Sequence, residues 1–191
     1  MKRELSPFLI VPAVVFLVLP LQAADGQMPT TAPPAAFTAS YGEAQDPSLA
    51  ELRQTLIEEG FLEELAKALN DELKLPHSIE LAMEECGEAN ASYHEEEYRI
   101  ILCYELLAQV VADSARTDQT EEEQAQFIGG IITFVFLHEL GHALIHVLDL
   151  PVTGREEDAA DQLATAVLLD GSEEGIEAAA AAAVWFLQSS K

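Results

Sequence analysis

The sequence has little positive charge: 9 lysines and arginines stand against 34 aspartates and glutamates in 191 residues, for a formal net charge of −25. Binding nucleic acid or an anionic lipid surface requires cations that replace the counterions of phosphates, so the sign of this chain argues against both partners. The acid surplus suits a solvated surface in an extracellular compartment, and it could also draw in cationic peptides. Cysteine occurs twice, at Cys86 and Cys103, without the close pairing of a cysteine metal site. Aromatic residues make up only 7%, yet 49% of the chain is apolar, which is a globular composition, and the length suits one domain with a single core.

An apolar run long enough to span a membrane is also missing from the N-terminus. After Lys2 and Arg3 comes FLIVPAVVFLVLPLQAA, interrupted by Pro12 and Pro20, whereas a span needs about 20 apolar residues. Residues 1–23 read as a signal peptide cut after Ala23 or Ala24, with an uncleaved anchor as the alternative. No cysteine follows to accept a lipid, so the expectation is an exported bacterial protein, periplasmic or secreted, without stable membrane insertion. Residues 24–47 are rich in proline, alanine and threonine and read as a flexible leader. The domain proper, 48–191, then opens on Asp46-Pro47, a helix N-cap followed by proline at the first helical position.

What is present is mostly helical pattern. Leu49, Leu52 and Leu56, then Phe61, Leu65 and Leu69, recur at helical spacing on either side of Gly60. Residues 78–103 switch rhythm: SIELAMEE alternates, ANASY is short, and YRIILCY is β-branched and aromatic, which predicts a small antiparallel sheet. The last of these strands could offer an edge for an extended peptide. In an exported chain the even cysteine count predicts a Cys86–Cys103 disulfide, closing a loop of about 17 residues and worth about 3 kcal/mol. Two separate buried thiols are the alternative.

A helix through YELLAQVVADSA precedes Thr120 and Glu123, which form a capping box at the start of another helix reaching about Leu148. Apolar residues surround much of its circumference, so it belongs in the middle of the protein, with Gly129 and Gly130 allowing a neighbour to approach closely. This helix carries His138-Glu139-Leu140-Gly141-His142. The two histidines lie one turn apart on one face and can reach a single ion. Burying both with a glutamate and no partner would cost several kcal/mol, which zinc would compensate while leaving Glu139 free beside it.

A catalytic zinc needs a third protein ligand and an open position. Thr153 and Glu156 read as a second capping box starting a helix that ends near Gly171. On that helix Asp158 shares a face with Asp161, Gln162 and Thr165. Glu156 serves the cap. Glu157 lies with Ala160 and Ala164, small residues that permit close packing, and is therefore the expected third ligand. Asp161, one turn on, can hold the second nitrogen of a liganding histidine. His146 reads as a packed or rim histidine, and His77 and His94 as turn residues. The closing segment, capped by Ser172, should dock Trp185, Phe186 and Leu187 on the core.

HELGH followed by Glu157-Asp158-Ala159-Ala160-Asp161 resembles the gluzincin metallopeptidases, and the compact arrangement with a short sheet before the metal helix resembles their minigluzincin form. More closely, HELGHALIHVLDLPVTGREEDAADQLA resembles a bacterial exported family of zinc metallopeptidases known chiefly as a domain of unknown function. The resemblance spans about residues 48–190. It implies an α+β, mostly helical domain, one zinc held by His138, His142 and Glu157, activation of water by Glu139, and a ligand oriented by Asp161. The implied substrate is a peptide or protein. Larger gluzincins add an oxyanion-binding histidine or tyrosine from a C-terminal domain that has no room here; Tyr93, Tyr104 and Arg155 are candidate substitutes. The competing readings are a hydrolase of another amide and an inactive, zinc-bound peptide-binding protein.

Overall fold

The computed structural model describes residues 35–115, 119–169 and 171–189; the expected signal peptide lies outside them. Strand β1 (Phe37–Tyr41) is followed by helices α1 (Pro47–Glu59) and α2 (Phe61–Glu72). Strands β2 (Ile79–Glu84), β3 (Ala91–His94) and β4 (Arg99–Cys103) come next, then α3 (Tyr104–Ser114), α4 (Glu121–Val147), α5 (Glu156–Leu168) and α6 (Glu173–Ser189). The domain is thus α+β and mostly helical, as the patterning implies.

Local signals explain most boundaries. The Asp46 carboxylate accepts from the Ser48 and Leu49 amides with Pro47 at the first turn, and Gly60, at φ 64°, breaks α1 from α2. Thr120 and Glu123 exchange side-chain and backbone hydrogen bonds at the start of α4. By length and composition α4 could cross a membrane, but most of its apolar window is buried inside the domain.

The sheet differs from expectation in two ways. It is mixed, in the order β1-β2-β4-β3, with β1 parallel to β2, β2 parallel to β4, and only β3 antiparallel to β4. A parallel pair needs a crossover, and α1 with α2 supplies it between β1 and β2. The second difference is β1 itself, which falls within the segment read as a flexible leader. It has one deeply buried side chain, Phe37, and is held from outside. The Phe37 amide donates to Asn70 Oδ1 (2.8 Å), and Asn70 Nδ2 donates to the Phe37 carbonyl (3.0 Å). The strand order also corrects the edge: β4 is paired on both sides, and β3 is the edge that lies against α4.

Helix α4 runs through the core and packs most extensively on α6 and α5. Two glycines permit these crossings. A Cβ on Gly130 would come within 2.7 Å of Ala178 Cα on α6, and one on Gly141 within 2.9 Å of Ala160 Cα on α5. The closing helix docks less fully than expected. Trp185 is buried, whereas Phe186 is 43% and Leu187 69% exposed.

Candidate metal centre

Helical spacing puts His138 and His142 on one face of α4, and Gly141 lies between them in sequence. Ala160 seats on Gly141 and lies between Glu157 and Asp161, so the closest point of the two helices is also where the polar side chains meet. His138 Nε2 is 3.2 Å from His142 Nε2. Glu157 Oε2 is 3.3 Å from His138 Nε2 and 3.6 Å from His142 Nε2. A tetrahedral ion with bonds of ~2.0–2.1 Å separates its donors by about 3.3–3.4 Å, so these three atoms fit three corners of one small coordination tetrahedron.

The other imidazole nitrogens explain why the donors face inward. His138 Nδ1 lies 2.8 Å from Asp161 Oδ1, and His142 Nδ1 lies 2.7 Å from Glu156 Oε1. A carboxylate can only accept, so each Nδ1 carries the proton and each Nε2 presents a lone pair to the centre. Asp161 thus occupies the expected position. Glu156 does not: α5 begins on Arg155 without a side-chain cap, and Glu156 turns to His142 instead of closing a box with Thr153. Burial depresses the His142 pKa, but the Glu156 hydrogen bond and the charges of Glu139, Glu157 and Glu156 outweigh it and leave it raised.

Glu139 is 9% exposed and points inward beside this face. Burial raises its pKa above the usual carboxylate range, opposed by the two histidines and by the Tyr93 backbone N–H, which donates to it, and reinforced by Glu157. A buried carboxylate next to two imidazoles is placed to exchange a proton with a molecule at the centre.

A family of domains of unknown function, described as "Putative metallopeptidase", matches residues 41–191. The chain belongs to this family. Comparisons with curated proteins and with solved structures give no match. The family description implies a metal and a peptide or protein substrate, and the three converging donors form a candidate site for the metal.

In this metallopeptidase-family domain the remaining candidate residues separate by position. Tyr104 is fully buried and donates to the Gly42 carbonyl (3.1 Å), which removes it from the centre. Arg155 is exposed at the start of α5. Tyr93 stands on β3 with its hydroxyl 2.8 Å from His146 Nδ1, and burial, with the charges of Tyr98 and Glu95, pushes its pKa up to about 12. His146 stacks on Tyr98 (5.2 Å between ring centres), which stacks on His77 (5.1 Å), so His146 is a packed histidine as its place in the row suggests. His94 ends β3 with Ser92 Oγ at 3.0 Å.

Cys86 and Cys103 form the expected disulfide, with their Cα atoms 5.6 Å apart. Glu105 lies near them but accepts from the Cys86 and Gly87 amides, so that group is a loop anchor and not a second metal site. The anchored loop leads to β3 and borders a cleft of about 460 Å³ that reaches His138 and Glu139.

The sequence reading missed Glu156. The signal was available: two liganding histidines need two outer acceptors, and Asp161 is only one. The Tyr93 amide had no sequence signal, because a backbone donor carries no residue identity.

Proposed function

We propose that the domain is a zinc-dependent peptidase of an exported bacterial protein, with His138, His142 and Glu157 as the zinc ligands and Glu139 as the general base. The observation that carries this is the inward-facing set of three electron-pair donors. With both Nδ1 atoms committed to carboxylates, the two Nε2 atoms and the Glu157 oxygen repel one another unless a proton or a metal ion lies between them, and their near-tetrahedral spacing suits the metal. Two imidazoles and one carboxylate suit zinc, and three protein ligands leave a position for substrate.

When bound, zinc supplies Lewis acidity, polarising the scissile carbonyl and acidifying the attacking water. Glu139 takes the proton from that water at its carboxylate and later delivers it to the leaving amine. Its burial supports this role, because a raised pKa makes it a better proton carrier near neutrality. Asp161 and Glu156 hold the Nδ1 protons and so fix the ring orientation that aims each Nε2 inward. β3, the edge strand beside Glu139, is where an extended peptide would add. The N-terminal apolar run and the disulfide support action outside the cytoplasm.

The test is metal analysis of the purified domain together with hydrolysis of a mixed peptide library. The expected result is one zinc per chain and cleavage that falls by about 10²–10⁴-fold in Glu139→Gln with zinc retained. Identical product profiles from both proteins would instead favour an inactive peptide-binding protein.

A further inference from the structure

The cleft beside the centre has a chemistry of its own. Its walls include Leu106 from α3, Phe134 and Val135 from α4, and Trp185 and Phe186 from α6, with the Ala89–Ala91 segment at one side. His138 and Glu139 belong to the same lining, so whatever fills the cleft touches the residues of the reaction. We propose that this cleft receives one large apolar side chain, aromatic or branched, of a residue flanking the scissile bond, and that Phe186 and the Ala89–Ala91 segment set its size. This specificity assignment rests on the peptidase reading above.

Size permits it: a cavity of ~150 Å³ holds benzene, so about 460 Å³ accommodates the largest side chains. The polar groups in the lining leave little for a charged occupant. Asp161 is committed to His138, and Trp185 Nε1 donates to Asp113 (3.2 Å), so the indole offers hydrocarbon to the cleft. An acidic side chain would meet the Asp161 and Glu139 carboxylates with no lysine or arginine among the lining residues. A lysine or arginine would give up water for carboxylates that already have partners. Phe186 stands edge-on to Phe134, 5.8 Å between ring centres, yet is 43% exposed. An apolar occupant would cover it and so gain from the burial of both surfaces.

The experiment uses zinc-loaded mature protein and two variants at exposed positions, Phe186→Ala and Ala89→Phe. A peptide library is digested and the residues flanking each cut are counted. The expected result is a preference of about tenfold or more for Phe, Leu or Trp over Ala at one flanking position. Phe186→Ala should flatten that preference, and Ala89→Phe should shift it toward Ala and Val. Cleavage without such a preference, one for Lys or Glu, or one that both variants leave unchanged overturns the assignment while the peptidase reading survives.

If no peptide is cut, the peptidase reading falls and the cleft is read by fluorescence, because Trp185 is the chain's single tryptophan. A saturable response to N-acetyl-phenylalaninamide, weaker for the alanine and glutamate analogues and altered in both variants, upholds the cleft. An equal response to all three overturns it.

Discussion

Helix α4 meets α5 and α6 by the same device, a glycine seated on an alanine, and the two junctions do different things. At Gly141 the contact brings a carboxylate-bearing helix against two histidines. At Gly130 it brings a helix whose far end carries Trp185 and Phe186 to the cleft. The outer side of the first junction is polar, with Glu157 and Asp161 side chains each 59% exposed, and that of the second is apolar. Close helix packing thus fixes position, while the residues within about two turns decide whether the junction gathers electron-pair donors or apolar side chains.

That contrast can be broken by mutation. Replacing His142 and Glu157 together with alanine should abolish stoichiometric zinc by metal analysis, whereas Phe186→Ala should keep it; zinc binding undiminished in the double variant would end the account. A methyl at either glycine should overpack its crossing and lower stability by about 1–3 kcal/mol in urea titrations. The outcomes should part at the metal: Gly141→Ala should also weaken zinc binding in the folded protein by about tenfold or more, as the ligand helix is displaced, and Gly130→Ala should not. Equal zinc affinities would show that the α5 crossing does not set the ligand geometry.

A finer probe addresses the outer carboxylates. Asp161→Ala and Glu156→Ala should each reduce zinc affinity by about 10–100-fold in competition with a chelator. A normal affinity in Glu156→Ala would return that residue to a helix-start role. The smallest effect is expected from pH. In metal-free protein His142 has a raised pKa, so the stability it contributes is complete below the ordinary histidine value and is lost as pH rises through the folded one. Zinc binding runs the other way, because the ligands must be unprotonated, and should weaken on acidification. Urea midpoints of apo and zinc-loaded protein between pH 5 and 9 should therefore diverge as pH rises.

Features written in short range were legible. The Thr120–Glu123 box, the Gly60 break, the helical phase of His138 and His142, and the small residues around Glu157 each depend on neighbours within a turn or two. The cysteine pair was legible from its even count together with the expected export. What failed depends on distant partners. β1 has no periodic pattern and exists because Asn70 and β2 hold it. The parallel pairing of β2 with β4 follows from β3 passing to the outside, which no strand sequence records. Glu156 had the spacing of a cap, but an imidazole from another helix was the stronger claimant. Phe186 and Leu187 looked like core by composition, yet both are exposed, Phe186 where it lines the cleft.

That the Tyr93 main-chain N–H steadies the charged form of Glu139 has an implication for how this site tolerates change. Because the donor is peptide and not side chain, position 93 can vary in identity while Glu139 keeps this support. Proline is the exception, since it has no hydrogen to give. The grip on that carboxylate is thus stored in the register of a short outer strand, and a slip of one residue there would release it without moving His138, His142 or Glu157.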